Sequence, residues 1–482
     1  MGCVQHMDNI DFIGRETEID SFHELAKSRG AKILVVYGRR RVGKTTLIHR
    51  AFAGRNILKL EGLEKKGSAA QRDNMLTQLS IAVNNPSIAK LKLKTWSEVL
   101  IEIAKITEKG MWTVYFEEVQ WIAAYKEDLI IHLKYVWDNY FSKNPNLTLI
   151  LCGSSPSFLI NKVMHSKALY NRSQYEFPIS ELSLAEAEKL IGKNRSREEV
   201  LDAYLAVGGI PDYLKRLTLK SSVYLSLCDQ AFKPGGFFVD ESERIFISSL
   251  AKNQHYLAIV EYLAKNKAAT KGEILDALKL TSGGVTSSMF KDLIQCGFLG
   301  AYDNLSIGDT GRNSRYYLKD SYLQFYYRFI KPKLSGIRNG DFSYNAAKAL
   351  DYNSYRQWLG YGFERLCLKL AFPLAQVLGF ESVHFSCGPC YVKKTASGTG
   401  AQIDLLYKRA DRVFTVCEVK YQGEPVGRNV INECEQKILA LLPKNATVQR
   451  VLISASGADA SVVNSGYFNK IVTIDEIFGV RA

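Results

Sequence analysis

A glycine-rich stretch near the start of the chain carries residue types that bind phosphate. It follows an apolar run over residues 33–36, which has the length of a buried parallel strand, and it opens a helix-like pattern. The stretch fits the G-x-x-x-x-G-K-[ST] loop, in which Lys44 neutralises phosphate oxygens and the Thr45 hydroxyl binds Mg²⁺. A chance glycine-rich turn does not explain the Lys and Thr after the second glycine. We therefore predict a site for ATP and Mg²⁺, and the loop residues that bind the nucleotide are Gly38, Arg39, Arg40, Arg41, Val42, Gly43, Lys44, Thr45 and Thr46.

A second apolar strand ends in two carboxylates, Glu117 and Glu118. A phosphate-loop enzyme needs one carboxylate for the Mg²⁺ shell and another to activate the attacking water. By position, we assign Glu117 to the metal and Glu118 to the catalytic base. The metal-side residue is usually Asp, so Glu117 places its carboxylate one methylene farther out. ATP binding should survive this change, whereas the rate of hydrolysis is in doubt. The alternative is two solvated glutamates at a strand end.

Two further positions are candidates for contact with the γ-phosphate. The strand-like run over residues 147–151 ends in Cys-Gly-Ser-Ser, so Ser154 or Ser155 is a sensor candidate, and we assign Ser154 to the nucleotide site. Arg172 is a candidate for neutralising transition-state charge, either within the chain or across a subunit interface. Arginine is also an ordinary surface residue, and that alternative stays open for Arg172.

Residues 401–420 contain a second set of charged side chains. Residues 401–407 and 413–420 have the pattern of two strands joined by a polar turn. With a turn centred near Ala410, Asp404 lies opposite Val416 and diagonal to Glu418. Alternation along the strands then places both carboxylates on one face, with diagonal neighbours about 7–8 Å apart. That spacing allows the two carboxylates to share one divalent ion.

This pair of carboxylates, followed by a lysine, is suited to phosphodiester hydrolysis. A metal ion polarises the phosphate and lowers the pKa of a bound water, while Lys420 orients that water or stabilises negative charge. We predict Asp404, Glu418 and Lys420 as catalytic residues. Glu364, on a helix-like stretch, joins Asp404 and Glu418 as a candidate ligand of Mg²⁺ or Mn²⁺. The alternative is a solvated strand face that carries these charges by chance.

The segments between the two charged clusters are mainly helical. Helical patterns over residues 183–191 and 196–206 end at a Gly-Gly-Ile-Pro turn and predict a small helical lid. Three further helical stretches precede two strand-like runs at 298–302 and 315–318, the order of a winged helix-turn-helix. The third of these helices is poor in Arg. The module is therefore suited either to DNA contact or to packing and protein interaction.

The N-terminal motifs, taken together, resemble the archaeal-type ATPase family, which belongs among the STAND and AAA+-like phosphate-loop proteins. The resemblance covers about residues 8–245. It is carried by the loop from Gly38 to Thr45, Glu117-Glu118-Val-Gln-Trp, Leu151-Cys-Gly-Ser-Ser and Gly208-Gly-Ile-Pro, in this order. The segment around Phe12 and Arg15, just upstream of the loop, resembles the part of AAA+-like ATPases that contacts the nucleotide base.

The C-terminal Glu, Asp and Glu-x-Lys residues resemble the PD-(D/E)xK nuclease superfamily over about residues 331–460. The domain is also similar to a nuclease-like domain often fused to the archaeal-type ATPase. The expected fold class is multidomain α/β. It comprises a parallel-sheet phosphate-loop ATPase core (8–180), a helical lid (181–245), a winged helix-turn-helix (246–330) and a restriction-endonuclease-like α/β domain (331–482).

Composition bounds the class of protein and its partners. The 482 residues suffice for two to four domains, and 46% hydrophobic with 23% charged residues is ordinary for a globular protein. A net charge of +14 favours a polyanion such as nucleic acid, DNA more than RNA, although basic proteins can also be merely soluble. Scattered cysteines, with no signal peptide or long apolar run, predict a cytoplasmic protein without a membrane partner. A homo-oligomer is compatible with these features.

Three functions are therefore open. The first is an ATP-binding ATPase whose nucleotide state controls a metal-dependent nuclease-like domain acting on nucleic acid. The second is an ATP-dependent signalling switch that binds DNA or a protein partner without cutting. The third is a chaperone-like or assembly ATPase. Intact Asp404, Glu418 and Lys420 favour the first, slow ATP hydrolysis would favour the second, and absence of salt-dependent DNA binding would favour the third.

Overall fold

The fold is that of a computed structural model, which describes residues 12–167, 169, 174–250, 254–303, 305, 314–392 and 401–480. The chain divides into two compact units. The N-terminal unit comprises residues up to Glu181 together with Glu243–Asn253, and the C-terminal unit comprises Leu182–Ser242 together with the chain from Gln254 onward. Across the described residues, no helix is both long enough and apolar enough to span a membrane.

A five-stranded parallel sheet with strand order β2-β3-β4-β1-β5 forms the centre of the N-terminal unit. Its strands are β1 (Lys32–Tyr37), β2 (Asn56–Glu61), β3 (Trp112–Glu117), β4 (Leu147–Gly153) and β5 (Gln174–Pro178). Strands β1 and β4 are apolar and buried along nearly their whole length, as expected for parallel strands covered on both faces. The carboxyl ends of parallel strands meet at one edge. That edge therefore gathers the phosphate loop after β1, the glutamates after β3 and the serines after β4.

Seven α-helices accompany this sheet in the described residues before Glu181. They are α1 (Glu16–Lys27), α2 (Lys44–Ala51), α3 (Ser68–Ala82), α4 (Trp96–Ile106), α5 (Val119–Ile122), α6 (Asp128–Asn139) and α7 (Pro156–Phe158). Helix α4 starts at a capping box formed by Thr95 and Glu98. Its apolar stripe, which includes Trp96, Val99 and Ile103, is buried in the same core as the β-strands.

The C-terminal unit begins with five α-helices, of which the first two match the predicted helical patterns, and their role as a lid stays a prediction. These are α8 (Leu184–Ile191), α9 (Arg197–Val207), α10 (Pro211–Arg216), α11 (Val223–Phe232) and α12 (Phe237–Ser249), the last of which continues into the N-terminal unit. The predicted break lies between α9 and α10, where Gly208 has φ of 75°. A Cβ on Gly209 would lie 2.1 Å from the Leu182 carbonyl oxygen, so only glycine fits there.

The next segment contains the three helices and the hairpin predicted from the sequence. In chain order it comprises α13 (Gln254–Lys265), β6 (Ala269–Thr270), α14 (Lys271–Ala277), α15 (Gly284–Gln295), β7 (Leu299–Asp303) and β8 (Ser314–Leu318). Its strands form an antiparallel sheet of order β6-β8-β7. We call residues 254–318 the hairpin module. Two helices follow it, α16 (Ser321–Phe325) and α17 (Leu334–Asn339).

A mixed five-stranded sheet of order β13-β12-β11-β10-β9 completes the C-terminal unit. Strands β9 to β11 are antiparallel, whereas β11 to β13 are parallel. The elements are α18 (Tyr352–Lys369), α19 (Ala371–Val377), β9 (Phe385–Val392), β10 (Ala401–Arg409), β11 (Val413–Lys420), α20 (Asn429–Leu441), β12 (Thr447–Ser454), α21 (Ala460–Val463), β13 (Lys470–Val472) and α22 (Ile474–Gly479). Helix α20 packs on this sheet through Val430, Cys434 and Ile438. The division into four domains stays a prediction.

The register of β10 and β11 differs from the predicted one. Leu406, and not Asp404, pairs with Val416, so the prediction was wrong by two residues. The reason is that β10 continues to Arg409, which moves the turn to residues 410–412. Continued by one residue beyond the Leu405–Cys417 pair, this register sets Asp404 directly opposite Glu418. A shift by two keeps every side chain on its face, and directly opposite Cβ atoms are only about 4.5–5.5 Å apart.

Candidate functional site

The phosphate loop joins β1 to α2, which is the context that the motif requires. Gly43 precedes the helix with φ of 92°, a conformation that favours glycine. A Cβ on Gly38 would lie 2.2 Å from the Ile179 carbonyl oxygen, so close packing requires glycine there as well. Lys44 is 8% exposed, and its Nζ donates to the carbonyl oxygens of Gly38 (2.9 Å) and Arg39 (3.0 Å). The ammonium group therefore lies across the loop.

Thr45 and Glu117 meet at the carboxyl edge of the sheet. The Thr45 hydroxyl donates to Glu117 Oε1, and Lys59 forms an ion pair with Glu117 Oε2. Burial opposes ionisation of Glu117, but hydrogen bonds from Lys59 and Thr45 outweigh it and lower the pKa of this carboxyl. A hydroxyl and an ionised carboxylate in contact are the hard oxygen donors that Mg²⁺ prefers, so these two residues fit the predicted ion.

The carboxylate of Glu118 is fixed by the next strand. Glu118 has φ of 52° at the start of α5, and its Oε2 accepts hydrogen bonds from Ser154 N (2.9 Å), Ser154 Oγ (2.7 Å) and Gln120 Nε2 (2.6 Å). Among the described residues, Oε1 accepts none. One oxygen is therefore anchored, while the other is available to take a proton from water, which is the geometry of a general base.

The segment before α1 is attached to the phosphate loop through Arg15. This side chain is 5% exposed and donates to the carbonyl oxygens of Val42 (3.3 Å) and Ser180 (2.5 Å). Phe12 is half-buried in the same segment. Contact of Phe12 and Arg15 with the base of a nucleotide stays a prediction. Arg172 lies outside the described residues, so its predicted role is untested too.

In the C-terminal sheet, Glu418 is held between two lysines. It is 1% exposed, and Lys437 Nζ on α20 lies 2.7 Å from both of its carboxylate oxygens. Lys420 Nζ lies 3.1 Å from Glu418 Oε1 and donates to Glu433 at 2.7 Å. Burial opposes the charge of Lys420, but its bonds to Glu433 and Glu418 raise the pKa of the ammonium above its ordinary value. Lys420 is therefore a cation that can stabilise negative charge.

Asp404 and Glu364 complete this group of acids. Asp404 is half-buried and accepts hydrogen bonds from Gln402 Nε2 and from the backbone N–H of Val419, both at 3.3 Å. Burial, with the nearby charge of Glu418, raises the pKa of Asp404 to about 7. Burial also raises the pKa of Glu364. The three predicted acids influence one another electrostatically, so the fold has brought them together.

Among the described residues, no three or more His, Cys, Asp or Glu side chains are arranged to hold one ion. Direct binding of a metal by Glu364 stays a prediction for that reason. Binding of Mg²⁺ by Asp404 and Glu418 is likewise a prediction, which rests on the preference of this ion for one or two carboxylates and several waters. Bound there, the ion would polarise a phosphate oxygen and acidify a water.

The raised pKa of Asp404 predicts a specific pH dependence of stability. Its folded pKa of about 7 exceeds the ordinary 3.8, so between these values the folded chain binds more protons than the unfolded chain. This residue's contribution to the free energy of unfolding therefore falls as the pH rises from about 4 to 7. The Asp404→Asn variant cannot ionise, so thermal unfolding at pH 5 and pH 8 should show it gaining stability relative to the wild type at pH 8. Asp411→Asn, at an exposed carboxylate of the same hairpin, is the control. An unchanged difference between wild type and Asp404→Asn at the two pH values would contradict the assignment.

Residues 12–217 match a protein family described as an ATPase domain predominantly from Archaea. This region is therefore similar to the ATPase domain of that archaeal family. The match supports a nucleotide-binding ATPase domain, and it agrees with the resemblance inferred from the four motifs in this part of the chain.

Known proteins are similar to longer parts of the chain. An uncharacterized protein of Methanocaldococcus jannaschii is 28% identical over 364 residues, which cover 74% of this chain and 76% of the relative. A Walker-type ATPase of Pyrococcus abyssi has 17% identity, covers 66% of this chain and 96% of its own, and gives a TM-score of 0.45. The ORC2 protein of Aeropyrum pernix, in ADPNP–ADP complexes, has 11% identity, coverages of 70% and 98%, and a TM-score of 0.43. The first alignment is longer than the family match, so it includes sequence outside the ATPase domain.

Three side chains at these sites were not predicted from the sequence. In the ATPase domain they are Lys59, which pairs with Glu117, and Gln120, which is fully buried against Glu118. In the C-terminal sheet it is Lys437. Lys59 interrupts the apolar pattern of β2, and Lys437 follows Glu433 by one helical turn. Both positions are visible in the sequence, but neither one identifies the carboxylate, Glu117 or Glu418, with which the lysine pairs.

Proposed function

We propose that the ATPase domain hydrolyses ATP with Mg²⁺, and that Glu118 is the general base. The anchoring of one Glu118 oxygen by Ser154 and Gln120 carries this proposal. Lys44 would neutralise phosphate oxygens, and Thr45 with Glu117 would hold the ion, which supplies charge neutralisation at the phosphates. Glu118 Oε1 would accept the proton of the attacking water, while Ser154 keeps the carboxylate aligned.

We further propose that the nucleotide state of the ATPase domain controls phosphodiester cleavage by the C-terminal sheet. The facing positions of Asp404 and Glu418, with the Lys420 ammonium beside them, carry this part. In the reaction, water forms a new P–O bond and the ester P–O bond breaks. Lys420 would donate a hydrogen bond to the phosphate oxygen on which negative charge develops. The chain passes between the two units at residues 181–182, 242–243 and 253–254, which gives nucleotide-dependent changes a covalent path.

One observation favours a second function, a switch that binds nucleic acid or a protein partner without cutting it. Both oxygens of Glu418 are bonded to Lys437, so this carboxylate is already neutralised by a lysine. A metal ion would have to compete with that ammonium for Glu418. If Lys437 binds Glu418 more strongly than the metal ion does, the acids and lysines stabilise the fold and the site does not cleave.

Nucleic acid, DNA more than RNA, is the partner that we propose for either function. The net charge of +14 supports a polyanionic partner, and the order of helices and strands in the hairpin module supports a winged helix-turn-helix. A cytoplasmic location and a homo-oligomeric state remain predictions, and Mn²⁺ remains a predicted alternative to Mg²⁺ at Asp404 and Glu418.

A cleavage assay separates the two functions. The substrates are single- and double-stranded DNA and RNA, with Mg²⁺ or Mn²⁺, with and without ATP. We expect the wild type to cleave, Asp404→Ala to lose cleavage, and Lys44→Ala to lose its ATP dependence. Asp411→Ala, in the exposed turn next to β11, is the matched control and should cleave normally. No cleavage by folded, ATP-binding wild type under any of these conditions would contradict the nuclease function and favour the non-cutting switch.

A further inference from the structure

A cavity of about 250 Å³ lies within the C-terminal unit, between the hairpin module and the C-terminal sheet. Helix α18 and strands β9 and β10 line one side, and β7, β8 and the residues before β6 line the other. Glu364 and Asp404 both reach its wall. Small-molecule sites usually measure about 300–1,000 Å³, so the space suits one small unit of a larger ligand.

The two walls of this cavity are fixed to each other by packing. The backbone N–H of Leu305, just beyond β7, donates to the Pro389 carbonyl oxygen on β9 at 3.4 Å. A Cβ on Gly388 would lie 3.0 Å from the Asp303 carbonyl oxygen, so the strands approach closely at a glycine. The Leu305 side chain packs against the core of the C-terminal sheet. The shape of the cavity is therefore fixed by contacts between its two walls.

Cations from both walls face this space. Arg365 is half-buried, and within the described residues its guanidinium makes no hydrogen bond and no ion pair. Lys267, from the opposite wall, has its Nζ 4.2 Å from the Tyr361 ring centroid. It makes no ion pair among the described residues, although its charge partly offsets the rise in the pKa of Glu364. Arg315 lies 5.1 Å from the Tyr391 ring centroid. Arg315 already donates to the Ala268 carbonyl oxygen (3.3 Å) and pairs with Glu273 (3.5 Å). Arg365, a partly buried guanidinium without a protein acceptor among the described residues, is the group that indicates a ligand with anionic oxygens.

Tyrosines supply the rest of the polar and aromatic lining. Tyr302, Tyr361 and Tyr391 come from three different elements and present rings to one small space. The Tyr391 hydroxyl is buried and has no hydrogen-bond partner among the described residues. Aromatic faces accept any base by stacking, and a free hydroxyl can donate to a base or sugar oxygen. A nucleotide carries both an anionic phosphate and an aromatic base, so it matches the cations and tyrosine rings that face this space.

We propose that this cavity binds one unpaired nucleotide of a nucleic-acid strand, with its phosphate at Arg365 and Lys267 and its base against the tyrosines. The inference rests on the proposed nuclease function, because Asp404 and Glu364 then lie where the adjoining phosphodiester is presented. A base inside a duplex cannot enter without being flipped out, which costs a few kcal/mol of stacking and pairing. The substrate class is accordingly single strands and frayed or tailed ends.

Binding, measured separately from cleavage, tests the proposal. Fluorescence anisotropy of labelled single-stranded DNA, single-stranded RNA and blunt duplex DNA is recorded with the full-length protein in EDTA, so that no metal-dependent cleavage consumes the probe. The single strands should bind more tightly than the blunt duplex. Lys267→Gln and Arg365→Gln should each weaken single-strand binding about 10-fold, the size expected for losing one charge-assisted contact.

Matched controls remove the same charge from outside the cavity. Lys265→Gln lies two residues from Lys267 on an exposed turn of α13, and Arg338→Gln lies on exposed α17. Both controls should retain the affinity of the wild type. Lys267 is itself exposed, so Lys267→Gln tests the cavity even if Arg365→Gln fails to fold.

The results separate this proposal from the nuclease proposal. Equal affinity for blunt duplex and single strand, or unchanged single-strand binding by Lys267→Gln, would overturn the cavity proposal even if the wild type cleaves nucleic acid. Weakened binding by the cavity variants alone would support it, even if no cleavage is found under any condition. In that second case, the cavity serves binding by a switch that does not cut.

Discussion

Replacing Glu118 with Gln is expected to lower the rate of ATP hydrolysis about 100-fold or more while ATP binding is retained. The physical reason lies in the two oxygens of this carboxylate. Ser154 donates twice to Oε2, which leaves Oε1 to accept a proton. The Gln side chain has the same shape, but its amide is not basic. Phosphate contacts at Lys44 and Thr45 are unchanged, so affinity should persist.

The measurement pairs single-turnover hydrolysis with equilibrium binding of a labelled ATP. Glu127→Gln is the control, because Glu127 is an exposed glutamate of the same unit, paired with Lys162. Ser154→Ala should give a smaller loss of rate, because it removes one of the three donors to Oε2 and leaves the backbone N–H of residue 154 and Gln120 in place. Hydrolysis by Glu118→Gln at the wild-type rate would show that another group activates the water.

Replacing Lys437 with Met is expected to destabilise the C-terminal unit by about 3 kcal/mol. Glu418 is 1% exposed, and Lys437 donates to both of its oxygens. Without that partner, a buried carboxylate keeps only Lys420, which Glu433 also attracts. Removing one member of a buried ion pair leaves a charge without compensation, and that costs more than the net contribution of the intact pair.

A double-mutant cycle measures this interaction. Thermal or urea unfolding is followed for Lys437→Met, Glu418→Gln and the double variant. The double variant should be more stable than the sum of the single losses predicts, because the unpaired charge is gone. Lys444→Met, at an exposed lysine after α20, should leave stability nearly unchanged. Additive losses would mean that the short contacts contribute little.

The pair of Glu418 and Lys437 also distinguishes the nuclease function from the non-cutting switch. If Lys437→Met lowers stability but raises cleavage or Mg²⁺ affinity, the lysine competes with the ion at Glu418. If it abolishes cleavage in folded protein, the lysine positions the carboxylate for catalysis. Lys437, which is not part of the Glu-x-Lys motif, therefore provides a direct test of the switch.

The sequence by itself determined the strands of the ATPase domain that carry the motifs and the order of those motifs. Loop residues from Gly38 to Thr45, two glutamates after one strand and two serines after another are local signals, and parallel strands must bring their carboxyl ends to one edge. The two helices before the glycine break at Gly208, and the three helices followed by a hairpin, also follow from periodicity and turn residues. In each case, the deciding interactions join residues that are close in the chain or alternate along it.

Only the tertiary structure decided how the C-terminal acids are surrounded. The register of β10 and β11 depends on where the turn falls, and a strand that extends to Arg409 moved Asp404 from a diagonal position to one directly opposite Glu418. The pairing of Glu418 with Lys437 depends on how α20 packs on the sheet, and the cavity formed with Lys267 and Arg365 depends on packing between elements that are distant in the chain. Residue types and spacing along a strand cannot encode such contacts. A buried charge takes its partner from whichever element the core packs against it.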